Sequence, residues 1–144
     1  MTPPMAVSAV LALHDAALQA HGGTPGHGQG VACVDRSLCA AVNAVLYRFG
    51  ADDDCLDPKW FAAYAFLYLL KNHCFTDGNK RVAWMVLTQV LFQELGASVS
   101  FSDDVAVRLV LDFDNRSKSG SDFSGLITEL VALLDQHLVA ASEA

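Results

Sequence analysis

Nine consecutive residues, His73-Cys74-Phe75-Thr76-Asp77-Gly78-Asn79-Lys80-Arg81, bring together an imidazole, a carboxylate, a glycine, a carboxamide, an ammonium and a guanidinium. This set of groups suits the handling of a polyphosphate. If a helix starts near Asn79, its first backbone N–H groups and a dipole worth roughly half a positive charge form an anion site before any side chain contributes. Gly78 permits a positive φ and lets a phosphate approach the main chain closely. Asn79, Lys80 and Arg81 then add donors from the first turn, and a guanidinium grips two phosphate oxygens at once. Asp77 alone would repel phosphate; a magnesium ion, which characteristically sits between one or two carboxylates and substrate phosphates, removes the conflict. His73, with an unperturbed pKa near neutrality, is placed to take a proton from an attacking hydroxyl. Phe75 reads as the apolar anchor of the loop.

Taken singly, each residue has a simpler reading. A lone histidine at a helix end is usually a cap or a core residue, and Asp-Gly-Asn is usually a turn. The combination says more, because a Lys-Arg pair at a helix start opposes the dipole and points to a bound anion that stabilises it. Cys74 beside His73 suggests a Cys-His nucleophile, but neighbours in sequence seldom point at each other, which disfavours that reading.

The elements that must position these groups are helices. Val7, Val10, Leu11, His14 and Leu18 fall on one face of a helix over about Ala6 to Ala20, ended by Gly22 and Gly23. Thr24 to Gly30 is rich in breakers and reads as a loop. Val34, Leu38, Val42, Val45, Leu46 and Phe49 mark a helix over Val31 to Phe49, stopped by Gly50. Ala51 to Asp57 reads as a solvated acidic loop that flanks the site. Asp57-Pro58 is an N-cap followed by a first helical residue, opening a helix to Asn72 that is apolar nearly all round and therefore buried. The motif follows, then a helix over Asn79 to Leu95 closed by Gly96. Ser102 caps a helix running to about Asn115 with the stripe Val105, Leu109, Val110 and Phe113, and Asp122 to Val139 forms the last helix, with Leu138 on its apolar stripe. Alternation is confined to Ala97 to Phe101. The pattern predicts one all-α domain over residues 1–144, a compact bundle of about six helices around two buried central ones.

Bulk composition narrows the function classes. A formal charge of −7 argues against a direct nucleic-acid binder, whose affinity rests on clustered Lys and Arg. Lys71, Lys80 and Arg81 still concentrate positive charge near the motif. The longest uninterrupted apolar run, Trp60 to Leu70, is too short to span a bilayer, and the first Lys or Arg is Arg36, which leaves no basic n-region for secretion. A cytoplasmic protein without membrane partners is expected. Cys33, Cys39, Cys55 and Cys74 contain no Cys-x-x-Cys pair, so they are expected to be reduced, with Cys33 and Cys39 in the core. The five histidines show no His-x-x-x-His spacing, and no zinc site is expected.

At the motif the chain resembles the Fic/Doc (Fido) superfamily, whose signature is His-x-Phe-x-Asp/Glu-Gly-Asn-x-Arg; His73, Phe75, Asp77, Gly78, Asn79 and Arg81 match its fixed positions. Lys80 at the variable position, with Leu13-His14-Asp15 and Gly22-Gly23-Thr24-Pro25-Gly26 upstream, resembles the death-on-curing (Doc) branch more narrowly. The resemblance covers about Leu13 to Leu138. It implies a compact helical fold and Mg-ATP-dependent transfer to a protein hydroxyl, with His73 as base, Asp77 as magnesium ligand and Gly78, Asn79, Lys80 and Arg81 as phosphate cradle. AMP-transferring members usually carry glycine where Lys80 stands; the lysine resembles Doc toxins, which phosphorylate a threonine of elongation factor Tu and so inhibit translation. Gly78, by contrast, follows the AMP-transferring pattern, since some Doc proteins have alanine there. The self-inhibitory Ser/Thr-x-x-x-Glu-Gly/Asn helix of many Fic proteins is missing, because Val90, Gly125 and Val139 stand four residues before the three glutamates. The resemblance therefore implies a separate antitoxin of the Phd type, laid along an apolar groove. Another class of function, a non-catalytic module that binds a nucleotide or an acidic peptide, would have no need of His73 or Asp77.

Overall fold

The computed structural model describes residues 3–28, 30–50, 56–120 and 122–141. Among the described residues six helices form in chain order: α1 (Val7–His21), α2 (Gly30–Phe49), α3 (Pro58–Asn72), α4 (Asn79–Leu95), α5 (Asp103–Lys118) and α6 (Phe123–His137). Short strands β1 (Ala97–Val99) and β2 (Leu138–Ala140) complete the chain. The helices start where side-chain chemistry favours it. The Asp57 carboxylate accepts from the N–H groups of Lys59 and Trp60, with Pro58 in the first helical position; Ser102 accepts from Val105, and Asp122 from Ser124 and Gly125. Each cap satisfies donors that a helix start leaves unpaired.

The bundle is built around α3. Phe61 to Leu67, Leu69 and Leu70 are all buried, and α3 packs against α2, α4, α5 and α6. Its closest companion, α4, buries Val82, Ala83, Val86, Leu87, Val90 and Leu91. Phe66 of α3 meets Trp84 of α4 and Phe113 of α5 edge-on, with ring centroids 6.2 and 6.4 Å apart, so one aromatic cluster joins three helices. Helix α2 has the length and hydropathy of a bilayer span. Its Val34, Leu38, Ala41, Val42 and Val45 are nonetheless buried in the bundle.

Three expectations from the sequence change. The last helix stops at His137, and Leu138 to Ala140 extend instead as β2, paired antiparallel with β1 in the register Ala97↔Ala140, Ser98↔Val139 and Val99↔Leu138. Local periodicity around Leu138 continued the helical stripe, whereas the partner strand lies some forty residues upstream. Val105 is exposed, because the apolar face of α5 that reaches the core is Val110 and Phe113. The cysteines differ as well. Cys33 in the first turns of α2 and Cys74 in the motif loop form a disulfide, with Cα atoms 5.4 Å apart across 41 residues of sequence, and Cys39 is exposed and, among the described residues, unpaired. Only the packing of α2 against the end of α3 brings the two sulfurs together, and that is invisible to spacing rules. Cys39 follows Leu38 by one residue, about 100° round the helix from the buried face. Cys55 and most of the acidic loop preceding α3 lie outside the described residues.

Candidate active site

The motif occupies the corner between the two central helices. Helix α3 ends at His73, whose backbone is left-handed (φ 50°, ψ 60°), the only non-glycine residue with positive φ among the described residues. Helix α4 starts after Gly78, which is also left-handed (φ 81°). A Cβ at Gly78 would meet only ordinary contacts from His14 and Leu18, so the backbone angle, not lack of room, calls for glycine. Within α4 the first capping bond runs from the Val82 N–H to the Gly78 carbonyl at 2.9 Å. The amides of Asn79, Lys80 and Arg81 precede that ladder, the arrangement that makes a helix start attractive to anions.

Phe75 is buried and secures the loop in the core. Gly30 lets α2 start directly against it, since a Cβ there would lie 2.8 Å from the Phe75 ring. On its other side the ring of His14 stacks at 3.8 Å, nearly parallel. The buried carboxamide of Asn79 fixes the loop's main chain: its Oδ1 accepts from Phe75 N–H at 2.9 Å, and its Nδ2 donates to Phe75 O at 2.6 Å. That pair of bonds sets which end of the amide is which. The same Nδ2 lies 3.3 Å from His73 Nε2, so the carboxamide also touches the imidazole. His73 is otherwise exposed to solvent.

Asp77 is held from the segment after α1. The Thr24 N–H donates to its Oδ2 at 2.7 Å, and the His14 Nε2–H donates to its main-chain oxygen at 2.9 Å. Thr24, first through its backbone N–H and then through its side chain, holds the Asp77 carboxyl below the usual carboxylate range, with His14 adding a smaller pull in the same direction. The carboxylate is thus held in place as a hard oxygen donor. That is a fit for magnesium, which takes one or two carboxylates and keeps several waters.

Lys80 and Arg81 stand on the exposed side of the α4 start, where Gly78, Lys80, Arg81 and Trp84 face Val107 and Val110 of α5 across a cleft of about 530 Å³. The Lys80 ammonium lies 3.8 Å from Asp114, a buried carboxylate on α5 that Lys118 also approaches at 2.8 Å. All six motif side chains named from the sequence are therefore gathered at one corner of the fold. Phe75 and Asn79 are built into it, while His73, Lys80 and Arg81 face solvent. Cys74 is in its disulfide, which leaves no thiolate there for a Cys-His nucleophile pair. The supports contributed by His14 and Thr24 come from outside the motif. His14 carried a signal, a polar residue on the apolar stripe of α1; the Thr24 contact is made by a backbone N–H and carries none.

The sequence model of the Fic/DOC family matches residues 4–91 of this chain, which runs from before α1 through most of α4 and includes the whole motif. No curated protein matches it significantly.

Proposed function

Because the chain belongs to the Fic/DOC family, a transferase family of the Fido type, we propose that it is a Doc-like toxin that phosphorylates a protein hydroxyl from Mg-ATP. The observation that carries the reading is His73 at the end of α3 beside the unladdered amides of α4, with the Asn79 carboxamide fixing the loop between them. In this reading the triphosphate sits on the amides of Asn79, Lys80 and Arg81, and Arg81 grips its oxygens. Asp77 would hold a magnesium ion, which would neutralise phosphate charge when bound. His73 takes the proton as the hydroxyl oxygen bonds to the γ-phosphorus and ADP departs, leaving a phosphorylated side chain. Lys80 supports the γ-transfer reading, since a cationic side chain there resembles the Doc branch. By the same resemblance the target is a threonine of elongation factor Tu, the outcome is arrest of translation, and inhibition comes in trans from an antitoxin of the Phd type.

The second reading, AMP transfer, is favoured by Gly78. Parallel incubations with α- and γ-labelled ATP separate the two. Label retained from the γ position alone is expected; retention from the α position alone means AMP transfer and overturns the kinase reading. His73→Ala is expected to lower transfer by about 10² to 10⁴ while nucleotide binding and folding persist. If neither label reaches any protein, and calorimetry shows nucleotide binding indifferent to magnesium, the chain is a non-catalytic binding module.

A further inference from the structure

We propose that His14, Asp15 and His27 form a site for a divalent transition cation of the zinc class, separate from the magnesium position at Asp77. His14 is fully buried on α1. A carbonyl oxygen can only accept, so the 2.9 Å contact between His14 Nε2 and Asp77 O makes Nε2 the donor and leaves Nδ1 as the ring atom available to a ligand. Nδ1 is buried without a hydrogen-bond partner, the only such side-chain atom among the described residues. Buried polar atoms are nearly always paired, and one that is not calls for an explanation.

Asp15 and His27 supply it. His27 Nε2 lies 2.9 Å from Asp15 Oδ1, and one ligand-capable atom from each of His14, Asp15 and His27 lies within 4.8 Å of the other two. Ligand atoms around a tetrahedral zinc ion stand about 3.3 Å apart, given metal–ligand distances near 2.0 Å. The remaining closure falls to His27, which sits in the irregular segment after α1. Two imidazoles and one carboxylate are a donor set that zinc and its neighbours prefer, with a fourth position open to water. Ligating histidines characteristically donate their other ring N–H to a carboxylate or a backbone carbonyl, and His14 donates to Asp77 O in that manner. A cation bound here would clip the segment carrying Thr24 and His27 onto α1, bracing the corner that holds Asp77. The proposal stands whether or not the transferase reading does.

The test is calorimetric titration of the intact, chelator-stripped, non-reduced protein with Zn²⁺, alongside the absorption spectrum of its Co²⁺ form. A single site with a tetrahedral Co²⁺ spectrum lacking thiolate charge-transfer bands is expected, together with a raised Tm. His27→Ala, at a half-buried position, and Asp15→Asn, at an exposed one, are each expected to weaken binding by about 100-fold with folding confirmed by circular dichroism, whereas His73→Ala leaves it unchanged. A Kd no tighter than millimolar in the wild type, equal affinity in His27→Ala, or a thiolate band pointing to Cys39 would each overturn the site.

Discussion

At the scale of single residues, the most informative side chain is Asn79, because the structure gives its carboxamide a task different from the one its motif position suggests. The amide is closed on the main chain of Phe75 and on His73, which leaves its backbone N–H, at the start of α4, to meet an anion. Replacing it with alanine strands a buried N–H and a buried carbonyl, each costing about 1–3 kcal/mol when unsatisfied. Asn79→Ala is therefore expected to lose stability in urea unfolding, whereas Arg81→Ala, exposed on the cleft wall, is expected to weaken nucleotide binding at nearly unchanged stability. Equal stability of the two variants would return Asn79 to a purely ligand-facing role. Asp77 gives a pH prediction. Its carboxyl is held below the ordinary range by Thr24, so its contribution to stability is complete above the unfolded-state value of about 3.9 and is lost as pH falls through the lower folded value. Asp77→Asn is expected to flatten that acid limb of a Tm-against-pH profile and leave the profile above about pH 5 parallel to the wild type's.

At the scale of elements, helices were legible wherever a cap, a stripe and a stop residue agreed. Asp57-Pro58 before α3 and Gly96 after α4 placed both central helices at the boundaries observed. The site's motif was equally plain, since all its side chains come from one nine-residue stretch. What could not be read is what depends on two distant segments meeting: the β1–β2 pairing, the His14 and Thr24 supports, and the Cys33–Cys74 bridge. The bridge joins the first turns of α2 to the residue next to His73, so it bears on both stability and site geometry. Closing a loop across 41 residues contributes roughly 2–4 kcal/mol by restricting the unfolded chain. Denaturation with and without a dithiol reductant is expected to differ by that amount, and Cys33→Ser is expected to behave like the reduced wild type in either condition. A reductant effect that persists in Cys33→Ser would assign it to other cysteines.

At the scale of the whole molecule, the site is a corner of the core and has no scaffold of its own. His73 ends α3 and Asn79 begins α4, the two helices packed against each other at the centre of the bundle. Phe66 ties them to α5 through Trp84 and Phe113, and α5 in turn forms the far wall of the cleft beside Arg81. Truncating a fully buried phenylalanine costs about 3–5 kcal/mol, a large part of the 5–15 kcal/mol typical of a single domain. Phe66→Ala is therefore expected to lower the urea midpoint steeply with an unchanged m-value. Nucleotide binding gives the second measurement. If the cleft depends on how α3, α4 and α5 pack, affinity should fall even at temperatures where Phe66→Ala remains folded by circular dichroism, because α5 is no longer held at its distance from the α4 start. A variant that is destabilised yet binds nucleotide with wild-type affinity would show that the motif corner keeps its shape independently of the aromatic cluster.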